Sequence, residues 1–111
     1  MNCLIVDDSA IARSILKNML PIGDSLTLIA ECENAADAYK ILAANKIDLL
    51  FLDIEMPAMT GIELVKAIGD KRPLIIFVSA KRDYASDAFD LNVVGFYCQT
   101  CNTRSIFKSC N

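Results

Sequence analysis

The chain has 111 residues, 54% of them from the set AVILMFWYC and 23% charged, which is ample for one packed domain and too short for two. Lys plus Arg is 11 against 14 Asp plus Glu, a formal net charge of −3 with no basic run, which makes the chain a poor candidate for holding nucleic acid by phosphate neutralisation. The longest apolar runs fall short of a bilayer span, Asp7 and Asp8 break the first run too early for a signal peptide, and the lack of histidine excludes a histidine triad, a His-containing zinc site and a phosphohistidine on this chain.

Two periods alternate along the chain. Cys3-Leu4-Ile5-Val6 is a short apolar run ended by Asp7-Asp8, the pattern of a buried strand. Ser9 then caps a helix on which Ile11, Ile15, Leu16 and Met19 recur at helical spacing until Pro21 and Gly23. Leu26–Ala30 reads as a second strand, and Asn34 caps a helix carrying Ala35, Ala38, Ile41 and Leu42. Ile47–Leu52 is a third strand, the most apolar, ended by Asp53; Gly61–Ile68 is helical and Leu74–Val78 a fourth strand. Asp83–Leu91 reads as a helix and Val93–Tyr97 as a fifth strand. Of five cysteines, Cys3 and Cys32 lie in apolar runs and read as buried small hydrophobes, whereas Cys98, Cys101 and Cys110 crowd the tail. With no secretory signal in this sequence, reduced thiols and a cytoplasmic location are expected.

Strands apolar on both faces and joined by amphipathic helices predict a parallel sheet covered on both sides, a doubly wound α/β sandwich. Ligands of such sheets bind beyond the carboxyl ends of the strands, at the topological switch point. The residues to watch are therefore Asp7, Asp8, Asp53 and Ser79. Any one acidic residue at a strand end is most often a turn former or a cap. Three gathered at one sheet edge raise one another's proton affinity unless a positive charge sits among them. A hard divalent cation with oxygen ligands meets that need, and Mg2+ typically takes one or two carboxylates plus phosphate oxygens. A magnesium-assisted phosphoryl-transfer site is the expectation.

These residues resemble the receiver domain of two-component response regulators: Ile5-Val6-Asp7-Asp8-Ser9, Leu50-Phe51-Leu52-Asp53-Ile54-Glu55-Met56-Pro57 with Gly61, and Phe77-Val78-Ser79-Ala80. Tyr84-Ala85 with Ala88-Phe89 is most similar to receivers joined to LytTR-class DNA-binding domains. The resemblance spans residues 2–96 and implies a flavodoxin-like, five-stranded parallel sheet of order 2-1-3-4-5, in a switch more than an enzyme. By position it implies Asp53 as acceptor of a phosphoryl group from a histidine kinase, and Asp8, Asp53 and the backbone carbonyl of Glu55 as Mg2+ ligands. It further implies Asp7 as a supporting acid, Ser79 as the hydroxyl that hydrogen-bonds the phosphoryl group, and Phe96 as the switch aromatic. For Phe96 alone, core packing is the commoner role, and Pro57 and Gly61 are commonly turn chemistry.

Residues 1–94 follow the family, and 95–111 form an atypical tail replacing the end of strand five and helix five. Where receivers continue with Asp-Phe-Ile-Val-Lys-Pro, this chain has Gly95-Phe96-Tyr97-Cys98-Gln99-Thr100, so Gln99 stands at the lysine position. Degenerate codons for Gly95 through Cys110, read one base later, permit Asp-Phe-Ile-Val-Lys-Pro-Val-Thr-Leu-Asp-Arg-Phe-Leu-Lys-Ala-Val, 16 consecutive positions in keeping with a receiver. A one-base slip of the reading frame near codon 95 accounts for this, and the gene sequence tests it directly. Asn102 or Thr103 is placed to cap one short turn carrying Ile106, Phe107 and Cys110, leaving the last helix incomplete. Lost cover over the first strand would then expose apolar surface and favour a homodimer.

Three rival readings carry less. Cys98-Gln99-Thr100-Cys101 is a C-x-x-C, but a thioredoxin-like pair should open a helix after an N-terminal strand, and this one follows the last strand. A haloacid-dehalogenase-type phosphatase wants Asp-x-Asp, and Glu55 stands at the second position. A degenerate receiver, acting as a binding or dimerisation module without taking phosphate, is the alternative raised by Gln99, since an amide cannot replace an ammonium against a phosphoryl group.

Overall fold

A computed structural model describes residues 1–69, 72–79, 90, 91, 93, 95–98 and 103–106. The apolar runs become strands β1 (Asn2–Val6), β2 (Thr27–Cys32), β3 (Leu49–Asp53), β4 (Leu74–Ser79) and β5 (Gly95–Cys98), and Thr103–Ile106 adds β6. Between them lie α1 (Ala10–Met19), α2 (Ala35–Ala44) and α3 (Gly61–Ile68). The predicted helix over 83–91 lies largely outside the described residues.

Helix starts follow local side-chain chemistry. Ser9 Oγ accepts the Ala12 N–H at 3.2 Å, and Asn34 Oδ1 accepts the Asp37 N–H at 2.8 Å. Thr60 and Glu63 form a reciprocal capping box, with bonds of 3.0 and 3.2 Å, so two of the first N–H groups of α3 have partners. Pro21 follows Leu20, the C-cap of α1, and Gly69, at φ 81°, closes α3 in a conformation that L side chains rarely adopt.

The strand order is β2-β1-β3-β4-β5-β6. The first five strands are parallel, in the predicted order, and β6 pairs antiparallel with β5, Gly95 opposite Ile106 and Cys98 opposite Thr103. Residues 103–106 thus form a strand and not the short helical turn expected there. The open edge of β5 presents unpaired backbone groups, and a strand satisfies them where a lone helical turn would not.

Alternation along the strands sorts the core into two layers. Leu4, Val6, Leu50, Leu52, Ile75 and Phe77 pack under α2 and α3 with Ala35, Ala38, Leu64 and Val65. Cys3, Ile5, Phe51 and Val78 face the other way, against Leu16 of α1. Each fully buried Leu, Ile or Phe contributes about 1.5–3 kcal/mol by leaving water. Cys3 and Cys32 are buried free thiols, as expected, and burial pushes the pKa of both up.

Two expectations about cover need correction. Cys3 and Ile5 on β1 are fully buried, so the first strand keeps its cover. Among the described residues, α1 carries a cluster of exposed apolar side chains instead: Leu16 alone of the predicted stripe is buried, and Ile11, Ile15 and Met19 are 74%, 54% and 52% exposed.

Ala58, exposed in the loop between β3 and α3, has φ 69°, left-handed backbone that costs a residue with a Cβ about 1 kcal/mol. Ala58→Gly is therefore expected to raise the unfolding free energy by roughly 0.5 kcal/mol, net of the entropy glycine adds to the unfolded chain. Urea denaturation checks this, and a lower midpoint would contradict it.

Candidate metal centre

The chain leaves β1 for β2 on one side, then crosses β1 to place β3 on the other, which makes the gap between the ends of β1 and β3 the switch point of the sheet. Val6 is opposite Leu52 in that pair, so the next residues on both strands, Asp7 and Asp53, emerge side by side. Carboxylate oxygens of Asp7, Asp8 and Asp53 all lie within 4.8 Å of one another.

Each acid is held differently. Asp7, 7% exposed, donates its N–H to the Cys32 carbonyl at 3.0 Å, and its Oδ1 accepts the Ser9 N–H at 2.9 Å. Asp8 is exposed. Asp53 is half-buried, and its Oδ1 accepts the Glu55 N–H at 3.3 Å. That turn also brings the Glu55 main chain to the same edge of the sheet.

The proximity has an electrostatic cost. Burial, reinforced by the Asp7 charge and then by Asp8, pushes the Asp53 carboxyl from 3.8 up to about 7, against the opposing Glu55 N–H. Burial likewise raises Asp7, while the Ser9 N–H and Arg13 pull it down. Without a cation, the cluster holds a proton that a lone carboxylate would release. Three converging carboxylates with no nitrogen or sulfur donor among them suit a small hard cation, and Mg2+ fits this donor set.

Ser79 ends β4, one residue beyond Val78, which is opposite Asp53, and it is fully buried at that same edge. Phe96 lies in β5 with its backbone opposite Phe77. The side chain of Phe96, and Gln99 altogether, lie outside the described residues, as does most of the C-x-x-C.

Two residues escape a reading by strand ends. Gly61 sits against the acid-bearing strand: a Cβ there would lie 2.3 Å from the Asp53 carbonyl oxygen and 3.0 Å from Ile54 Cα. Its N–H donates to the Ile54 carbonyl at 2.8 Å. Arg13, on the first turns of α1, donates its guanidinium Nη1–H to the Asp7 carbonyl. Its place one helical turn beyond Ser9, just past the strand-end acids, is a signal the spacing contains.

Comparison with known proteins agrees with the geometry. The chain matches the family described as the response regulator receiver domain over residues 3–111. It is 40% identical over 110 residues to an uncharacterized response regulatory protein of Shewanella oneidensis, covering 98% of this chain and 47% of that one. It is 34% identical over 113 residues to the sensory transduction protein LytR of Staphylococcus epidermidis, covering 100% and 45%. This chain thus spans about half the length of the curated relatives it matches. Among solved structures, the response regulator TrrA from Thermotoga maritima, in complex with Mg2+-BeF, superposes with a TM-score of 0.76 at 30% identity, covering 88% of this chain and 85% of that one.

Proposed function

This chain belongs to the response regulator receiver domain family, the phosphoryl-accepting switch of two-component signalling, and on that premise we propose that Asp53 takes the phosphoryl group from a phosphohistidine of a sensor kinase, with Mg2+ as cofactor. The observation that carries the reading is the convergence of Asp7, Asp8 and Asp53 within 4.8 Å at the switch point of the sheet. The Mg2+ in the Thermotoga maritima relative supports the same ion here.

Mg2+, held by Asp8, Asp53 and the Glu55 carbonyl, would neutralise charge on the transferred oxygens and lower the proton affinity of Asp53. An ionised Asp53 oxygen attacks phosphorus in line with the leaving imidazole nitrogen. The new P–O bond forms as the P–N bond breaks, and the nitrogen keeps the electron pair. Asp7, buried and pinned by the Ser9 N–H, would orient the site as a supporting acid, through water or through Asp8. Ser79 would donate its hydroxyl to the phosphoryl group and move toward it, and Phe96 would be the switch aromatic that follows that movement. Gln99, at the lysine position, offers a hydrogen bond without charge, so transfer is slower than with an ammonium there. In a longer protein the receiver would drive an output domain, and similarity to LytR supports a LytTR-class transcriptional regulator.

Among the described residues no helix is long and apolar enough to cross a membrane. The test is intact mass after incubation with acetyl phosphate. A phosphoryl adduct that appears with Mg2+, and disappears with EDTA or in Asp53→Asn, is expected. Unmodified protein that still binds Mg2+ would overturn the phosphotransfer.

A further inference from the structure

Arg13 lies outside the ring of acids yet touches its frame. Its Nη1–H donates to the Asp7 carbonyl, and its Nε–H donates to Glu31 Oε1 at 3.0 Å. Glu31, on β2, also accepts Lys17 Nζ at 2.6 Å on its other oxygen. The Arg13 side chain is 16% exposed, well below the 36% of Lys17, so it is packed in place while Lys17 reaches through solvent.

We propose that Arg13 is a positioning residue of the metal centre: clamped by Glu31, it fixes the Asp7–Asp8 peptide so that both carboxylates converge on Asp53. This rests on the Mg2+ reading above.

The backbone of Asp7 is tied at each polar group, its N–H to the Cys32 carbonyl and its C=O to Arg13, while its side chain is tied to the Ser9 N–H. The Asp7 C=O and the Asp8 N–H belong to one rigid peptide plane. Rotation of that plane would swing the Asp8 Cα and redirect the carboxylate it carries. Of the three ties, Arg13 alone acts on this plane. A guanidinium suits the task because its planar fork donates in two directions at once, one bond to Glu31 and one to Asp7. An ammonium at the same position cannot span both with one fixed geometry.

The sign of the effect separates positioning from charge. By charge alone, removing a cation beside an acidic cluster strengthens Mg2+ binding. Loss of positioning weakens it, and partners of metal ligands typically contribute 10–100-fold in affinity.

Titration of the whole 111-residue chain with MgCl2, followed by calorimetry and by amide NMR, makes the test. Arg13→Ala is expected to raise the Mg2+ Kd roughly tenfold, with Arg13→Lys also weakened although it keeps the charge. Glu31→Gln is expected to weaken binding severalfold, by loosening the clamp. Lys17→Ala should leave the Kd within about twofold, since an exposed ion pair contributes little. In the metal-free protein the Asp7 and Asp8 amide shifts should move in Arg13→Ala and stay put in Lys17→Ala. Tighter or unchanged binding in both Arg13 variants, or a loss of urea stability with the Kd intact, overturns the positioning role and leaves the metal reading standing. Should Arg13→Ala fail to fold, Arg13→Lys and Glu31→Gln decide by the same Kd comparison. Wild-type protein that binds no Mg2+ overturns the metal reading and this inference with it.

Discussion

Without Mg2+, Asp53→Asn is expected to be more stable than the wild type at pH 8 by roughly 2 kcal/mol, and nearly equal to it at pH 4. The folded protein raises the Asp53 pKa from 3.8 to about 7, chiefly through burial and secondly through the Asp7 charge. A carboxyl that binds its proton more tightly when folded stabilises the fold fully below pH about 4. That stabilisation is lost as pH rises through about 7, where the folded group must ionise beside Asp7 and Asp8. The full difference corresponds to about 4 kcal/mol, and solvent reaching a half-buried carboxylate reduces it to roughly 2 kcal/mol. Asp7 is shifted in the same direction and adds a contribution of the same sign. Urea denaturation at pH 4 and pH 8 in EDTA compares the two proteins. An equal loss of stability with pH in Asp53→Asn would refute the assignment. Protons and Mg2+ compete for one carboxylate, so the wild-type Mg2+ Kd should rise roughly tenfold per pH unit below about 7.

Gly61→Ala is the second large effect, a loss of about 3 kcal/mol of stability together with weaker Mg2+ binding. The added Cβ would meet the Asp53 carbonyl oxygen at 2.3 Å and the Asp53 carbonyl carbon at 3.1 Å. Both are backbone atoms of a central strand and no rotamer change relieves them, so either α3 lifts or the end of β3 moves. Moving β3 displaces the Asp53 carboxylate from Asp7 and Asp8. Lifting α3 opens the core around Leu64 and Val65, both fully buried. The urea midpoint and the Mg2+ Kd, measured on one preparation, read the two consequences. An unchanged midpoint would mean that the corner relaxes freely, against the packing described here.

Gly61 shows how far local reasoning reaches. As a loop glycine beside Pro57 it reads as turn chemistry, yet the turn is not what demands it. The requirement is the approach of α3 to β3, a distance between elements about eight residues apart in sequence. The tail makes the same point from the other side. Ile106 and Cys110 are spaced for a helical turn, but Thr103–Ile106 pairs with β5, because an open sheet edge outweighs a weak local preference. Arg13 gave a signal of position only, and its role depends on Glu31, 18 residues away on another strand.

Sequence alone was enough for whatever depends on neighbours along the chain. Apolar runs of strand length, the caps Ser9 and Asn34, and acids placed immediately after the runs are local patterns. They led to the parallel sheet and to Asp7, Asp8, Asp53 and Ser79 as residues that stand together at one edge of it. Tertiary structure decided everything that depends on separation in space. The closeness of three carboxylates, the retention of a proton by Asp53 near neutral pH, the clamp on the Asp7–Asp8 peptide and the space denied to a side chain at Gly61 all arise where distant segments meet. Coulomb and contact energies vary steeply over an ångström or two, and sequence spacing does not resolve that distance.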